Sequence, residues 1–248
     1  MHIIIPARYA STRLPAKPLA DVGGKPLIQH VYERAQETGA TTVIATDDAR
    51  IRVVAEGFGA RVCMTSVQHR SGTERLAEVI EQLDIDESET VVNLQGDEPL
   101  MPSALVRQVA ETLATHPEAV MATACHAIHD YAEFTNPNVV KVTLDANGYA
   151  LYFSRAPIPW PRDAMAGKQR GNVTAYRHIG LYAYRAGFVR RYAAWPICTL
   201  EETEQLEQLR VLWHGERIAV CEAQQLPGPG VDTPEDLERV RKYFLNRN

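Results

Sequence analysis

Two acidic residues follow an apolar run in the segment VVNLQGDEPL, residues 91–100. The first half of this segment is typical of a buried strand, so Asp97 and Glu98 come where that strand ends. Mg²⁺ is a hard cation that binds carboxylate oxygens and nucleotide phosphates together. We therefore interpret Asp97 as a metal ligand, although Gly-Asp-Glu-Pro is also an ordinary turn sequence.

A second acid suited to this metal site stands in the segment GPGVDTPEDLERV, near the carboxyl end of the chain. Thr233 and Pro234 have the residue types of a helix N-cap and of a first helical position. Asp232 then lies just before the cap, on a glycine-rich approach to the helix. We expect Asp232 to complete the metal site with Asp97.

The first thirty residues carry a local excess of positive charge. Arg8, Arg13, Lys17 and Lys25 stand against one acid, Asp21, in a chain of net charge -5. They lie on a long irregular connection, and connections longer than about 12 residues are usually functional or disordered. We interpret this connection as an anion-binding loop, although a solvated surface loop would have the same composition.

The same connection lacks two common nucleotide-binding motifs. It contains neither the G-x-G-x-x-G of dinucleotide oxidoreductases nor the G-x-x-x-x-G-K-[ST] of P-loop proteins. A nicotinamide-dependent oxidoreductase and a P-loop hydrolase are therefore disfavoured.

The segment HRSGTERLAEVIEQL, residues 69–83, has the signature of a helix start. Ser71 and Glu74 have the spacing of a capping box, which satisfies amides of the first helical turn. The free amides of that turn, with Gly72 and Arg75 nearby, also suit a polar ligand. Capping and ligand binding can coexist in this segment.

Strand-like and helical segments alternate through the first half of the chain. The strand-like segments are 2–6, 41–46, 60–64, 90–94 and 119–124. Apolar residues share one helical face within 27–35 and again within 105–113. This alternation predicts an α/β fold with a mostly parallel sheet and helices on both faces. Ligands of such sheets bind outside the carboxyl ends of the strands, so we expect Asp97 and the cationic loop on one rim.

The pattern changes from about residue 139. The strand-like segments without intervening helices are 139–144, 149–153 and 179–185. They predict a mixed or antiparallel insertion over about residues 139–185. The helical segments that close the chain are 200–213 and 233–245. We see no repeat or linker and expect a single domain, 1–248, that carries this insertion.

Large apolar side chains are concentrated in the insertion. They are Tyr149, Leu151, Tyr152, Phe153, Leu181, Tyr182 and Tyr184. A small insertion does not readily bury so much aromatic surface, so we expect a homodimer built at this insertion.

Composition narrows the classes of partner. The net charge of -5 gives no broad electrostatic reason to bind nucleic acid or an anionic membrane. The four cysteines form no C-x-x-C pair and are typical of reduced cytosolic thiols. No apolar run approaches the roughly 18 residues of a membrane span, so we expect a cytoplasmic protein without membrane insertion.

An ordered set of motifs resembles the family of 3-deoxy-manno-octulosonate cytidylyltransferases, also called CMP-Kdo synthetases. The motifs are IPARYASTRLPAKPL, HRSGTERLAE, NLQGDEP, PNVVKVTLDANGYALYFSRAPIPW, YRHIGLYAYR, LEQLRVLWHGERI and GVDTPEDLERVR. They cover the chain almost from end to end. Two positions depart from the family pattern, since glycine is expected where Ala16 stands and aspartate where Glu74 stands.

The resemblance implies a Rossmann-like nucleotidyltransferase fold, Mg²⁺ as cofactor and a homodimer. It implies that CTP and Kdo react to give CMP-Kdo and pyrophosphate, for lipopolysaccharide biosynthesis in a Gram-negative bacterium. The anomeric hydroxyl of Kdo would attack the α-phosphorus in line. Such transfers depend mainly on positioning and on neutralising the charge that develops.

The resemblance also implies roles for individual residues. The residues that would embrace the triphosphate are Arg8, Ser11, Arg13 and Lys17. Those that would approach the cytidine are Ser71, Gly72, Thr73 and Arg75. Asp97 and Asp232 would hold Mg²⁺, and the residues of catalysis would be Arg8, Lys17 and Asp97. The residues that would contact Kdo are Gln95, Arg155, His178, Tyr182, Glu207 and Gln208.

The sugar contacts have ordinary alternatives. Arg155 could form an ion pair, or offer a planar fork to the Kdo carboxylate. His178 could be a strand histidine with a satisfied ring. Glu207 and Gln208 lie between leucines in a helical segment, so helical geometry turns them toward solvent.

Two other functions stay open at this point. The sugar could be another acid, of the sialic acid or 8-amino-Kdo type, because the nucleotide motifs would barely change. The chain could also be a non-catalytic nucleotide sensor, although the presence of both Asp97 and Asp232 disfavours it.

Overall fold

The computed structural model describes residues 1–10, 14–69, 71–163 and 174–245. The strands are β1 (His2–Ala7), β2 (Asp21–Val22), β3 (Lys25–Pro26), β4 (Thr41–Thr46), β5 (Arg61–Met64), β6 (Thr90–Asn93), β7 (Ala119–Ala127), β8 (Lys141–Leu144), β9 (Ala150–Ser154), β10 (Tyr176–Arg185) and β11 (Arg217–Glu222). The helices are α1 (Leu27–Gln36), α2 (Ala49–Gly57), α3 (Gly72–Gln82), α4 (Ser103–Thr115), α5 (Tyr131–Thr135), α6 (Ala186–Ala193), α7 (Thr199–Glu204), α8 (Gln208–Trp213) and α9 (Pro234–Leu245).

The main sheet has the strand order β11-β7-β10-β6-β1-β4-β5. The neighbours β1 and β4, β1 and β6, β4 and β5, and β11 and β7 pair in parallel. Strand β10 is antiparallel to both of its neighbours in this order, β6 and β7. Among these seven strands, β10 alone is therefore reversed, and the prediction of a mostly parallel sheet is confirmed.

The antiparallel strands of the insertion lie beside β10. Strand β8 pairs with the start of β10 and also with β9. The pairing of β10 with β7 shifts register between Ile179 and Tyr182. The hydroxyl of Thr123 lies 2.9 Å from the Ile179 carbonyl oxygen and 2.8 Å from that of Leu181, which satisfies polar groups at this irregularity. Such bulges bend a strand and redirect the side chains that follow.

Both faces of the sheet are covered by helices. Ile3 and Ile5 of β1 are buried in a cluster with residues of α1, α2 and α4, whereas Ile4 is buried with residues of α3, α6 and α8. Alternate side chains of a strand point to opposite faces, so one apolar strand supplies both clusters. Burying each isoleucine contributes about 1.5–3 kcal/mol. The two clusters fix the central strands from both faces, and the candidate site lies at the ends of these strands.

The helix expected over residues 200–213 is broken in two. Helix α7 ends at Glu204, the cap residue Gln205 has the left-handed backbone angles φ 54 and ψ 50, and α8 begins at Gln208. Across the break, Arg210 binds both carboxylate oxygens of buried Glu201 at 2.6 Å. The prediction of one continuous helix was wrong because periodicity alone does not reveal a left-handed residue held by tertiary contacts.

Of the helices in the described part of the chain, none has the length and apolar character that a bilayer crossing demands.

Candidate active site

The carboxyl ends of the parallel strands bring polar residues to one rim of the sheet. Arg8 follows β1, Asp47 follows β4, and Gln95 and Asp97 follow β6. Because these three strands run in the same direction, their exits lie along one edge. The rim is the edge on which the sequence predicts the acids and the cationic loop.

Lys17 joins the two predicted metal ligands. Its Nζ atom lies 2.6 Å from Oδ2 of Asp97 and 3.4 Å from Oδ1 of Asp232. The same ammonium donates a hydrogen bond to the Val231 carbonyl at 2.9 Å, and the Val231 N–H donates to the Asp97 carbonyl at 2.9 Å. Three distant segments of the chain thus meet, and both carboxylates face a single position that a cation occupies.

The carboxyl group of Glu98 is influenced by the negative charges of Asp97 and Asp232. Its pKa is raised to about 8, first by desolvation and then by the charges of Asp97 and Asp232, while Lys17 opposes the shift. Gly230 lies so close that a Cβ atom there would stand 2.9 Å from Oε1 of Glu98. The packing therefore keeps the carboxyl group of Glu98 close to those of Asp97 and Asp232.

The donor set fits Mg²⁺. Two carboxylates converge on one positive group, and hard oxygen ligands are those that Mg²⁺ binds. Within the described ranges no group of three or more His, Cys, Asp or Glu residues is arranged to hold a metal ion. Mg²⁺ is usually held by one or two carboxylates together with water and substrate phosphates, so a third protein ligand is not required.

The helix that follows Asp232 begins as predicted. The Asp236 N–H donates to Oγ1 of Thr233 at 3.2 Å, and the Thr233 N–H donates to Oδ2 of Asp236 at 3.0 Å. This reciprocal cap fixes the start of α9 and with it the backbone of Asp232.

The cationic loop is closed at its base. The Ala16 N–H donates to the Tyr9 carbonyl at 3.1 Å, and Ala16 adopts φ 57 and ψ 22. The guanidinium of Arg8 donates to the carbonyl oxygens of His69 and Ser71, which joins the exit of β1 to the start of α3. Ser11 and Arg13, which the sequence assigns to the triphosphate, lie outside the described residues.

The predicted cap of α3 is confirmed, and Arg75 on the same helix is buried. The Glu74 N–H donates to Oγ of Ser71 at 3.2 Å. Arg75 is 0% exposed, and its guanidinium binds Oδ2 of Asp47 at 2.7 Å and the hydroxyl of Thr65. The side chain thus anchors α3 to the exit of β4, and the assignment of Arg75 to the cytidine stays a prediction.

A polar and aromatic cavity of about 220 Å³ opens beside the rim. Six residues that the sequence assigns to nucleotide or sugar line it together: Gly72, Thr73, Gln95, Tyr182, Glu207 and Gln208. The remaining lining residues include Asn93, Tyr184, Tyr192 and Gln205. Residues expected at the cytidine and residues expected at the sugar therefore share one cavity.

A hydrogen bond links the two sides of this cavity. Oγ1 of Thr73 donates to Oε2 of Glu207 at 3.1 Å. Desolvation raises the pKa of Glu207, and the bond from Thr73 opposes that shift. The carboxyl group of Glu207 is therefore held at the cavity wall by the start of α3, although part of the residue is open to solvent.

Two predicted sugar contacts lie outside the described lining of the cavity. Nε of Arg155 donates to the Glu204 carbonyl at 2.7 Å, and its NH1 donates to the Pro137 carbonyl at 3.1 Å. The ring of His178 lies 3.0 Å from the Thr123 hydroxyl, and burial lowers its pKa to about 3. His178 is thus a neutral ring in contact with Tyr182, which does line the cavity.

Several residues of the cavity were not predicted from the sequence. Asn93 ends the strand that precedes Asp97, a place where a polar residue in an apolar run is a usable signal. Tyr184 shares a strand face with Tyr182 because the two are separated by one residue. Gln205 had no comparable signal, because its place depends on the break between α7 and α8.

The fold and the rim define an α/β nucleotidyltransferase. A solved structure of 4-diphosphocytidyl-2C-methyl-D-erythritol synthase shares this fold, with a TM-score of 0.64 and 16% identity over 98% of each chain. At that identity the likeness concerns the fold alone.

The comparisons with higher identity are more specific. A profile described as Cytidylyltransferase matches residues 2–218. The 3-deoxy-manno-octulosonate cytidylyltransferase of Idiomarina loihiensis is 59% identical over 244 residues, which cover 97% of this chain and 96% of the relative. That of Pasteurella multocida is 58% identical over 252 residues, which cover 98% and 97%. The chain therefore belongs to the cytidylyltransferase family, as a member of the group of 3-deoxy-manno-octulosonate cytidylyltransferases.

A solved relative extends the comparison to three dimensions. The structure of CMP:2-keto-3-deoxy-manno-octonic acid synthetase complexed with CTP has a TM-score of 0.91 and 42% identity. The match covers 99% of this chain and 98% of that chain.

Proposed function

We propose that this protein transfers CMP from CTP to Kdo and releases pyrophosphate. The observation that carries the proposal is the placement of an acidic rim and a polar cavity side by side, in a chain 59% identical to a 3-deoxy-manno-octulosonate cytidylyltransferase. In the reaction an oxygen of the Kdo anomeric hydroxyl bonds to the α-phosphorus. The bond from that phosphorus to pyrophosphate breaks, and the hydroxyl proton is lost.

In this proposal the triphosphate of CTP is bound by the cations of the loop that follows β1. Arg8 and Lys17 lie at the two ends of the loop, with Ser11 and Arg13 between them in sequence. Ser71 and Gly72 add the free amides of the first turn of α3, which point toward the same rim. Charge on the α-phosphate oxygens and on departing pyrophosphate grows during transfer, so cations at this place stabilise the transition state more than the substrate.

Asp97 and Asp232 would hold Mg²⁺. When bound there, the ion supplies positive charge that neutralises phosphate oxygens and makes a coordinated hydroxyl easier to deprotonate. Lys17 lies between the same carboxylates, so its ammonium would compete with a divalent cation for them. An ammonium released from Asp97 would be available to the triphosphate.

The sugar enters the cavity beside the rim. Gln95, Tyr182, Glu207 and Gln208 line it, and the described part of the lining includes no lysine or arginine. The Kdo carboxylate would be repelled by Glu207, so we assign that carboxylate to Arg155. Arg155→Ala should raise the Michaelis constant for Kdo and leave turnover at saturation close to that of the parent, because the carboxylate keeps its charge throughout the reaction.

The deciding experiment measures pyrophosphate release from CTP with Kdo, with and without Mg²⁺. We expect release that depends on both Kdo and Mg²⁺. A panel of sialic acids and 8-amino-Kdo separates the substrate from its close analogues, and a higher kcat/KM for one of these would replace Kdo. Absence of release with every sugar tried would support a nucleotide sensor instead.

We further propose a cytoplasmic homodimer that contributes to lipopolysaccharide biosynthesis. The four cysteines are free thiols, which is in keeping with a reducing compartment. Contrary to the expectation that the insertion cannot bury its large apolar side chains, Tyr149, Phe153, Leu181 and Tyr184 are buried in the single chain, whereas Leu151 of β9 is 61% exposed. A large apolar side chain on an open sheet face supports coverage by a second copy.

A further inference from the structure

Two buried polar atoms in the cavity have no hydrogen-bond partner among the described residues. They are Oδ1 of Asn93 and Nε2 of Gln208. Asn93 is 2% exposed and Gln208 is 4% exposed, and both line the cavity. Buried polar atoms are almost always paired, because burial without a partner costs free energy. Two unpaired atoms in one cavity point to a ligand that supplies the missing partners.

The two atoms are of complementary kinds. Oδ1 of Asn93 accepts a hydrogen bond, and Nε2 of Gln208 donates one. A hydroxyl group both donates and accepts, whereas a carboxylate only accepts. Glu207, the neighbour of Gln208, places a carboxyl group on the same wall and disfavours an anionic group there.

The two residues lie on fixed backbone elements, a strand and the start of a helix. Asn93 pairs with Tyr182 in the register of β6 and β10, and hydrogen bonding from Asn93 and Thr73 acts on the Tyr184 hydroxyl, whose pKa burial raises. Gln208 begins α8 directly after the break at Gln205. Fixed partners lose little side-chain entropy on binding, which favours selective recognition.

Gly72 keeps the space in front of Asn93 open. A Cβ atom at Gly72 would stand 3.7 Å from Nδ2 of Asn93 and 3.9 Å from Nε2 of Gln95. These are ordinary contacts that the fold tolerates, so the missing side chain leaves room for a ligand next to the two amides.

We propose that Asn93 is a substrate-binding residue and that, with Gln208, it recognises hydroxyl groups of the acidic sugar. A sugar hydroxyl donates to Oδ1 of Asn93, and a sugar hydroxyl accepts from Nε2 of Gln208. This inference rests on the proposed function and deepens it, since it assigns the hydroxylated part of the sugar to the cavity and the sugar carboxylate to a place away from it.

The test replaces each amide by an apolar side chain of similar shape, in Asn93→Leu and Gln208→Met. We expect the Michaelis constant for Kdo to rise roughly 5- to 50-fold in each variant, with that for CTP and turnover at saturation within about 2-fold of the parent. The melting temperature of free Gln208→Met should equal or exceed that of the parent, because an unpaired buried atom has been removed, whereas Asn93→Leu also loses the hydrogen bond to Tyr184 and should melt at a lower temperature. Gln36→Met makes the same chemical change at an exposed position of α1 and serves as the control.

A second measurement identifies the sugar group involved. Monodeoxy analogues of Kdo, each lacking one hydroxyl, should include one that the parent binds more weakly than Kdo. Asn93→Leu or Gln208→Met should bind that analogue and Kdo equally well, because the contact is already absent. If both variants still discriminate every analogue as strongly as the parent, the inference fails.

The outcomes separate this inference from the proposed function. No pyrophosphate release by the parent with Kdo refutes the proposed function. An active parent, together with parental Kdo constants in both variants, refutes only the role of Asn93 and Gln208. Equal increases in the constants for CTP and Kdo with a lower melting temperature mean a structural role and also refute it. If Asn93→Leu fails to fold, Gly72→Ala tests the same space, and an unchanged Kdo constant in that variant counts against the inference.

Discussion

Lys17 is an internal counter-ion for two carboxylates in the free protein. Its ammonium lies 2.6 Å from Asp97, and both side chains are partly withdrawn from solvent. Such a pair is screened less than a surface pair, so a divalent cation bound by Asp97 and Asp232, as proposed above, would compete with this interaction.

The role of Asp97 is tested by Asp97→Asn. The substitution is nearly isosteric but removes the charge that faces Lys17, so we expect turnover to fall by about 100-fold or more while circular dichroism stays unchanged. Asp86→Asn, at an exposed turn stabilised by Ser88, is the matched control and should keep parental turnover. Near-normal Mg²⁺-dependent pyrophosphate release in Asp97→Asn would refute the assignment.

His178 predicts a pH dependence of stability. Its pKa in the folded protein is about 3, well below the ordinary value of 6.5. As pH falls below 6.5, His178 binds a proton in the unfolded chain but stays neutral in the folded protein. The free energy of unfolding therefore falls as pH decreases toward 3. This stability is fully present above pH 6.5.

His178→Gln should remove that contribution. Between pH 7 and pH 5 the parent should lose about 2 kcal/mol more unfolding free energy than the variant, as measured by urea denaturation. The ring of His178 should show no protonation in NMR spectra of the folded parent down to pH 5. Parallel stability curves for the two proteins, or a ring that titrates near pH 6, would contradict the prediction.

At the scale of elements, the cationic loop contains a strained residue. Ala16 adopts φ 57, a left-handed conformation that costs a residue with a Cβ atom about 1 kcal/mol. The family pattern expects glycine at this position, and glycine adopts these angles without that cost. Ala20, at the other end of the adjoining helical turn, has φ -60 and needs no glycine.

Ala16→Gly and Ala20→Gly therefore form a matched pair. Both substitutions increase the entropy of the unfolded chain, but only Ala16→Gly relieves strain in the folded protein. We expect Ala16→Gly to be more stable than Ala20→Gly by roughly 1–2 kcal/mol in chemical denaturation. Equal stabilities would show that Ala16 carries no such strain.

The break between α7 and α8 is the element that shapes the cavity. Glu201 and Arg210 form a doubly hydrogen-bonded ion pair across it, and the guanidinium of Arg210 also lies 4.5 Å from the centre of the Tyr192 ring. Breaking a buried pair by removing one partner typically costs about 3–5 kcal/mol. The pair thus holds the turn from which Glu207 and Gln208 enter the cavity.

At the scale of the whole molecule, we expect a homodimer that covers the antiparallel strands. The measurement is sedimentation at micromolar concentration, and the expected mass is about twice the 27.6 kDa of one chain. Leu151→Glu places a charge on the proposed interface and should shift the protein to monomer. Val53→Glu changes an equally exposed apolar residue of α2, 68% exposed, and should leave the dimer intact. A parent that sediments as a monomer would refute the proposal.

The sequence by itself determined many of the elements and the edge of the sheet on which Asp97 lies. The apolar runs 2–6 and 41–46 predicted strands, and the capping residues Ser71 and Thr233 predicted helix starts, because periodicity and end-capping depend on residues close in the chain. Because parallel strands end at the same edge of a sheet, the sequence also predicted that Asp97 lies on the rim. Family resemblance added the chemistry, which composition and periodicity could not supply.

Only the tertiary structure decided which side chains meet. Lys17 reaches Asp232 across 215 residues of chain, and buried Arg75 binds Asp47 across 28 residues. The unpaired amides of Asn93 and Gln208 face one cavity because a strand exit and a helix break lie side by side. Contacts of this kind depend on packing between distant segments, and no local pattern of residues records them.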